Sequence, residues 1–220
     1  MARHAAPAPV RLCWLPGAAM RAEDIAAQPW GAALAAHGFA ADMDAIDLEP
    51  ERLDGADAID RCAAEVLRPA REAGQRVWLA GISLGGWQSV LCAARHPGLV
   101  DGLCLFSPYP GDRLAWRRIA QAGGLDAWTP EPHESDPALA VWAWWRRPPR
   151  SLRVWLGYGS ADRFGDGMDR MAERLQGAPD RHAVHRIDAD HDWACWHRLW
   201  GDFLHHGLAP WHARGPGASA

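Results

Sequence analysis

The sequence predicts an α/β fold, an open and mostly parallel β-sheet with helices on both of its faces. Short apolar runs alternate along the chain with segments of helical periodicity, which is typical of parallel strands joined by crossover helices. The runs are bounded by Gly and Pro and are mostly apolar throughout, as expected for strands that are buried on both faces. A chain of 220 residues is long enough for one well-buried core and short for two.

Five apolar runs and one weaker segment are the predicted strands, at residues 10–15, 76–82, 100–106, 152–157, 182–187 and, more weakly, 42–48. Residues 182–187 alternate between polar and apolar side chains, and we therefore expect that strand nearer an edge of the sheet.

The predicted helices lie between these strands and end at helix-breaking residues. Residues 57–73 carry an apolar stripe and stop at Gly74, with a kink expected at Pro69. Residues 84–96 form a helix that ends before Pro97. Further helices are predicted after Pro29, over residues 168–175 and from Trp193 onward.

Residues 1–208 are predicted to form a single domain. Within it, residues 111–150 contain two helix-like pieces, clusters of Pro and the tryptophans Trp142, Trp144 and Trp145, but no strand signal. This segment is predicted to be a short helical cap inserted over the sheet. The tail 209–220 consists mostly of small residues and proline, and we expect it to be disordered.

Composition excludes several classes of function. The formal net charge is −4 with acidic and basic residues interspersed, which indicates no nucleic-acid surface. The chain contains no Lys, which excludes a Ser-Lys dyad, a Lys Schiff base and a phosphate-binding P-loop.

Cellular location is predicted from the cysteines and from apolar segments. No run approaches the roughly 20 apolar residues that span a bilayer, and no signal-peptide core precedes Pro16, so we expect no membrane association. Five cysteines in mainly apolar contexts, none in a C-x-x-C pair, predict reduced core thiols and a cytoplasmic protein.

The motif most typical of a particular chemistry is Gly-Ile-Ser-Leu-Gly-Gly at residues 81–86. It matches G-x-S-x-G and lies between a predicted strand and a predicted helix, the context in which such a serine projects its hydroxyl from a tight turn. Ser83 is therefore the candidate nucleophile. The alternative is a Gly-rich turn in which Ser83 only caps the helix.

A serine nucleophile needs a base, and His191 is the best placed of the eleven histidines. It lies between the last predicted strand and the last helix, at the carboxyl edge of the sheet where Ser83 is also expected. The alternative for His191 is a loop residue that caps the Trp193 helix. The nearby run from Asp188 to Asp192 lacks the paired histidines of a metal site, so no metal is predicted.

The base in turn needs an acid that orients it, and Asp162 follows the 152–157 strand at the same edge. Asp166 is the closest alternative, but its position predicts the N-cap of the helix containing Met168. Asp188 and Asp190 flank His191 and are expected to fix its loop.

The order Ser, Asp, His along the chain resembles that of the α/β-hydrolase superfamily, in its compact bacterial carboxylesterase or thioesterase form. The matching residues span residues 10 to about 205, from the Leu15-Pro16-Gly17-Ala18 turn through the Ser83 motif to His191-Asp192-Trp193. The resemblance implies an α/β-hydrolase fold with about six strands. It also implies an oxyanion hole built from the amides of Leu84 and Ala18. Pro16-Gly17 departs from the His-Gly that is frequent in this family, but Ala18 still offers its N–H.

The function that these residues predict is cleavage of a small or medium acyl ester through an acyl-enzyme intermediate, with no cofactor. An acyl thioesterase is the alternative within enzymes, because Arg146, Arg147 and Arg150 could meet the phosphates of a carrier. A catalytically silent binding protein with the same fold is the alternative outside them. The sequence indicates no oligomeric state.

Overall fold

Six parallel strands form one sheet in the computed structural model, which describes residues 8–48, 56–131 and 136–208. The strands are β1 (Val10–Leu15), β2 (Asp42–Ala45), β3 (Arg76–Ile82), β4 (Gly102–Phe106), β5 (Arg153–Gly159) and β6 (His182–Ile187). Their order across the sheet is β2-β1-β3-β4-β5-β6, and every neighbouring pair is parallel. The α/β prediction is confirmed, with β6 at an edge as its alternating pattern indicated.

Nine α-helices surround the sheet within the described ranges: α1 (Ala22–Ala26), α2 (Trp30–Ala36), α3 (Ala56–Cys62), α4 (Arg68–Glu72), α5 (Leu84–Arg95), α6 (Arg113–Gln121), α7 (Pro137–Arg146), α8 (Gly165–Leu175) and α9 (Trp193–Asp202). Two π-helical turns, Ala63–Leu67 and Phe203–Leu208, extend α3 and α9. None of the described helices is both long and apolar enough to cross a lipid bilayer.

The helix predicted at residues 57–73 is interrupted by the first of these π-helical turns. Pro69 has no N–H group, and its ring would clash with the carbonyl group of Glu65 in a regular α-helix. The wider π turn ends at Leu67, two residues before the proline. The irregularity expected at Pro69 is therefore a π turn that precedes it.

Both faces of the sheet are buried because successive side chains of each strand point to opposite sides. On one face, Leu15 and Leu79 join a core with α3, α4, α5, α7 and α8. On the other, Trp14 and Trp78 join a core with α1, α2 and α9. The second face is rich in aromatic rings, and Trp14 lies 4.8 Å from Trp30 and 5.2 Å from Trp200 between ring centroids.

The segment predicted to be a cap also belongs to the core. In the part of 111–150 that the structure describes, α6 and α7 connect β4 to β5, and α7 contacts α5 and α8. Trp142 and Trp145 of α7 are almost completely buried in the core on that face. All five cysteines are buried free thiols, as predicted. The tail 209–220 lies outside the described residues.

Candidate active site

Ser83 lies in a sharp turn between β3 and α5, with backbone angles of φ 52° and ψ −113°. A positive φ is strained for any residue with a Cβ, so the surrounding hydrogen bonds must hold it. The Ser83 amide donates to the carbonyl of Phe106 at 2.9 Å, and the Ser83 carbonyl accepts from the amides of Gly86 and Trp87. The turn therefore fixes the Ser83 side chain at the carboxyl edge of the sheet.

The glycines of the motif are required by close approach of the backbone. A Cβ on Gly81 would collide with the carbonyl group of Gly85, and one on Gly85 would collide with that of Leu15 at the end of β1. A Cβ on Gly86 would lie 2.8 Å from the Cβ of Pro108. Only glycine allows β1, β3 and α5 to pass this closely.

Two connected loops place His191 and Asp162 beside Ser83. The loops follow β5 and β6, and the amides of Ser160 and Ala161 donate to the carbonyls of Ile187 and Ala189 at 2.7 and 3.0 Å. A Cβ on Gly159 would collide with the carbonyl group of Ala189, so a glycine is needed where the loops meet. These bonds fix Asp162 relative to His191, although 29 residues separate them in sequence.

Ser83, His191 and Asp162 form a continuous hydrogen-bonded series. His191 Nε2 lies 3.0 Å from Ser83 Oγ, and His191 Nδ1 lies 2.7 Å from Asp162 Oδ2. Since an ionised carboxylate can only accept, Nδ1 carries the proton in the neutral ring. Nε2 then presents its lone pair to the hydroxyl hydrogen of Ser83. This arrangement can remove the proton from Ser83 during nucleophilic attack.

Asp162 is held in its ionised form by its hydrogen bonds. Burial by itself would raise its pKa, but hydrogen bonds from the His191 ring and the Phe164 amide outweigh burial. The net effect lowers the pKa of Asp162 below its ordinary value. A buried carboxylate that stays charged can stabilise a positive imidazole ring beside it.

The prediction that Asp166 is a helix N-cap is wrong. Helix α8 begins at Gly165, so Asp166 lies inside the first turn, and the residue before the helix is Phe164. Asp162 Oδ1 accepts from the amide of Phe164, the residue before the helix, at 2.9 Å. Asp162 thus binds the start of α8 with one oxygen and His191 with the other. Asp190 accepts from the His191 amide at 2.8 Å and fixes the loop, as expected.

Aromatic rings that the sequence analysis did not identify enclose His191. Phe164 and Trp196 meet the imidazole edge-to-face, each at a centroid distance of 5.4 Å, and Tyr109 packs on Phe164 at 5.3 Å. Tyr109 and Phe164 follow β4 and β5 at the carboxyl edge, and this position was the signal that could have found them. Such rings exclude water from the hydrogen-bonded series.

The two amides predicted for an oxyanion hole belong to the residue after Ser83 and to the turn that follows β1. Leu84 is the first residue of α5, where backbone N–H groups at a helix start are free of intrahelical partners. Ala18 lies in a turn closed by a 3.1 Å bond from the Met20 amide to the Gly17 carbonyl. A Cβ on Gly17 would lie 3.3 Å from the carbonyl oxygen of Ile82, so this turn packs against the end of β3.

The chain matches a known protein family over most of its length. Residues 65–205 match the esterase family described as "Putative esterase", and this region contains Ser83, Asp162 and His191. A search of curated protein sequences finds no significant match.

Solved α/β-hydrolase structures share the fold at low sequence identity. S-formylglutathione hydrolase FrmB from Staphylococcus aureus superposes with a TM-score of 0.62 at 12% identity, covering 92% of this chain and 82% of its own. The S. aureus fluorophosphonate-binding serine hydrolase FphF gives 0.62 at 13% identity, covering 93% and 86%. A monoacylglycerol lipase from Paleococcus ferrophilus gives 0.58 at 17% identity, covering 90% and 95%. At these identities the likeness shows the fold alone.

Proposed function

The chain belongs to the esterase family, and from this premise we propose that it cleaves small or medium acyl esters with Ser83 as the nucleophile. The observation that supports this most directly is the series from Ser83 Oγ through the His191 ring to Asp162 Oδ2, with contacts of 3.0 and 2.7 Å. FphF, a serine hydrolase, has the same fold, so the proposed chemistry is compatible with this architecture.

Acylation begins when Ser83 Oγ attacks the carbonyl carbon of the ester. His191 Nε2 takes the hydroxyl proton as the new C–O bond forms, and the buried Asp162 carboxylate stabilises the resulting imidazolium. The carbonyl oxygen becomes an oxyanion, which accepts hydrogen bonds from the amides of Leu84 and Ala18. Collapse of this intermediate expels the alcohol, which receives the proton from His191 Nε2.

Deacylation repeats these steps with water in place of the alcohol. His191 removes a proton from the water as its oxygen attacks the acyl carbonyl carbon, and the proton then returns to Ser83 Oγ. The products are a carboxylic acid and the free enzyme. Each proton is held by a side chain of the chain itself, so the proposed reaction needs no cofactor.

The alternative of a thioesterase for carrier-bound acyl groups loses one of its arguments. Arg146, one of the arginines considered for phosphate binding, donates to the carbonyls of Leu125 and Asp126 at 3.1 Å each. Its guanidinium therefore secures the connection between α6 and α7. The tryptophans of α7 are buried in the core and do not line a pocket. The proposed preference for a small or medium acyl group rests on the short length of the segment 111–150.

Fluorophosphonate labelling combined with a panel of p-nitrophenyl esters and acyl-CoA thioesters of graded chain length tests the proposal. We expect labelling of the wild type, with ester hydrolysis fastest for the shorter acyl groups. Ser83→Ala should abolish labelling and reduce turnover by roughly 10⁴–10⁶-fold. Ser160→Ala, which removes an exposed hydroxyl after β5, is the matched control and should keep wild-type rates.

Each contrary result identifies a different error. Labelling that persists in folded Ser83→Ala would show that another residue is the nucleophile. A wild-type protein that neither labels nor hydrolyses any substrate would favour the catalytically silent binding protein. Faster cleavage of the thioesters than of matched esters would favour the thioesterase.

A further inference from the structure

Ser107 occupies a position between the two strands that carry the proposed nucleophile and the acid. It follows β4, which lies between β3 and β5 in the sheet. The Ser107 amide donates to the carbonyl of Gly157 at 2.8 Å, and the preceding carbonyl, that of Phe106, accepts from Ser83. Ser107 is completely buried.

The backbone of Ser107 is strained in the same way as that of Ser83. Its φ is +44°, and the other described non-glycine residues with positive φ are Ala19 and Ser83. The three follow β4, β1 and β3, so all lie at the carboxyl edge of the sheet, where the site is. Strain of this kind costs about 1–3 kcal/mol per residue and is concentrated at functional sites.

The Ser107 hydroxyl is a buried donor without a settled acceptor. Among the described residues, no atom meets the geometry of a hydrogen bond to Ser107 Oγ. Burying a hydroxyl without a partner is unfavourable, so a partner that the hydroxyl reaches by a small rotation is expected. A buried hydroxyl retained at a strained position needs an explanation from the chemistry around it.

Two titratable groups beside the hydroxyl are candidate acceptors, the Asp162 carboxyl and the Cys195 thiol. Interaction with the Ser107 side chain favours the ionised form of both and so acts to lower the pKa of each. Burial, with Asp192 and Asp162 nearby, nevertheless raises the pKa of Cys195 to about 11, so this thiol is protonated at neutral pH and accepts only weakly.

Asp162 is the better acceptor because it is charged and has unused capacity. Its two oxygens accept one bond each, Oδ1 from the Phe164 amide and Oδ2 from His191. A carboxylate has about four lone-pair sites, so one donor per oxygen leaves room for a third hydrogen bond.

We propose that Ser107 is a positioning residue, whose hydroxyl donates a hydrogen bond to the Asp162 carboxylate and keeps it turned toward His191 Nδ1 during the reaction. This inference rests on the proposed function, because it assigns Ser107 a part in the series that activates Ser83. The hydroxyl keeps its proton throughout and forms no covalent bond. Its effect is to prevent rotation of the carboxylate away from His191.

Ser107→Ala and Ser107→Gly test the inference together. Both remove the hydroxyl, but glycine adopts a positive φ without strain, whereas alanine retains the backbone strain. We expect both variants to react with a fluorophosphonate, and to hydrolyse a p-nitrophenyl ester at saturation, about 10- to 100-fold more slowly, as for the loss of a hydrogen bond to a charged group. KM should change little.

The pH profile of the labelling rate separates positioning from a merely structural role. Without the hydroxyl, the Asp162 carboxylate can turn away from Nδ1 and then stabilises the imidazolium less. The labelling rate of both variants should therefore reach its plateau at a lower pH than that of the wild type. Ser89→Ala is the matched control, because it removes another fully buried hydroxyl, one that bonds the Gly85 carbonyl, without touching Asp162. The pH profile of the Ser89→Ala labelling rate should match that of the wild type.

Three results would overturn the assignment. Unchanged labelling rates and pH profile in both Ser107 variants would show that the hydroxyl has no part in the reaction. Recovery of wild-type rates in Ser107→Gly alone would make the backbone, and not the hydroxyl, responsible. Slower rates that follow the melting temperature with no shift in pH profile would indicate a structural role. Ser83→Ala in the same assay tests the proposed function separately. This variant would still react with the fluorophosphonate only if Ser83 is not the nucleophile.

Discussion

Asp162 Oδ2 lies 2.7 Å from His191 Nδ1, with the Asp162 side chain completely buried and the His191 side chain only 10% exposed. Water therefore cannot replace the carboxylate as the partner of Nδ1. The tautomer and the orientation of the imidazole both depend on this one acceptor.

Asp162→Asn should reduce turnover of any ester substrate by roughly 10³–10⁴-fold, because an amide that donates to Nδ1 favours the wrong tautomer. The asparagine carbonyl can still accept from the Phe164 amide, so the melting temperature should change little. Asp166→Asn is the matched control four residues away, at an exposed position inside α8, and should keep wild-type turnover. Loss of turnover in Asp166→Asn and not in Asp162→Asn would move the acid to Asp166.

Stability should fall as the pH drops below about 6.5, the ordinary pKa of histidine. Burial lowers the pKa of His182 and of His185 in the folded chain, so the unfolded chain takes up protons that the folded chain resists. The free energy of unfolding then decreases with falling pH until both histidines are protonated in the folded state as well. Urea unfolding at several pH values between 5 and 8 measures this slope, and it should flatten in the double variant His182→Gln, His185→Gln. A double variant with the full slope would assign the effect to other groups.

Gly85→Ala should destabilise the fold severely, because its Cβ would meet the carbonyl group of Leu15, and backbone atoms of a central strand cannot move aside. Gly165→Ala is the matched control, since a Cβ at that first residue of α8 meets no atom within 4 Å. It should be neutral or stabilise by about 0.5–1 kcal/mol. Thermal melts of both variants decide the point. A Gly85→Ala protein with wild-type stability would mean that β1 and α5 do not approach as described.

Asp192→Ala should lower the free energy of unfolding by about 1 kcal/mol. The Asp192 carboxylate is the N-cap of α9 and accepts from the Cys195 amide at 2.8 Å. Asp166→Ala loses only the interaction of a charge with the first turn of α8, about 0.3 kcal/mol. Urea unfolding of the two variants compares them directly, and an equal or larger loss in Asp166→Ala would contradict the helix start at Gly165.

The sequence predicted the fold and the positions of Ser83, His191 and Asp162 for one physical reason. Parallel strands place their carboxyl ends at the same edge, so residues that follow different strands meet there, however far apart they lie in the chain. Strand periodicity, together with the G-x-S-x-G motif, was therefore enough to predict that these three side chains meet. Their roles in catalysis remain the proposal argued above.

What the sequence did not predict depends on geometry finer than periodicity. An aspartate near a helix start can cap it or lie one turn inside, and only the φ and ψ angles around Phe164 place Asp166 inside. Ser107 comes directly after a strand, as Ser83 does, but no glycine pattern surrounds it, and its positive φ and burial have no signature in the sequence. The tryptophans of α7 occur in a Pro-rich segment, and contact with α5 decides that they are core.

The tryptophans packed on the face of the sheet opposite α5 give the molecule an optical signature. Trp14 lies 5.2 Å from Trp200 with the ring planes tilted by 51°, close enough for their ultraviolet transitions to couple as an exciton pair. The circular dichroism of such a pair depends on the relative orientation of β1 and α9 and disappears when the two separate. Trp196 of the same helix contacts His191. The exciton signal of Trp14 and Trp200 therefore shows whether the helix that packs against the imidazole is in place. One spectrum thus distinguishes an inactive variant that is misfolded from one that is folded but has lost a catalytic group.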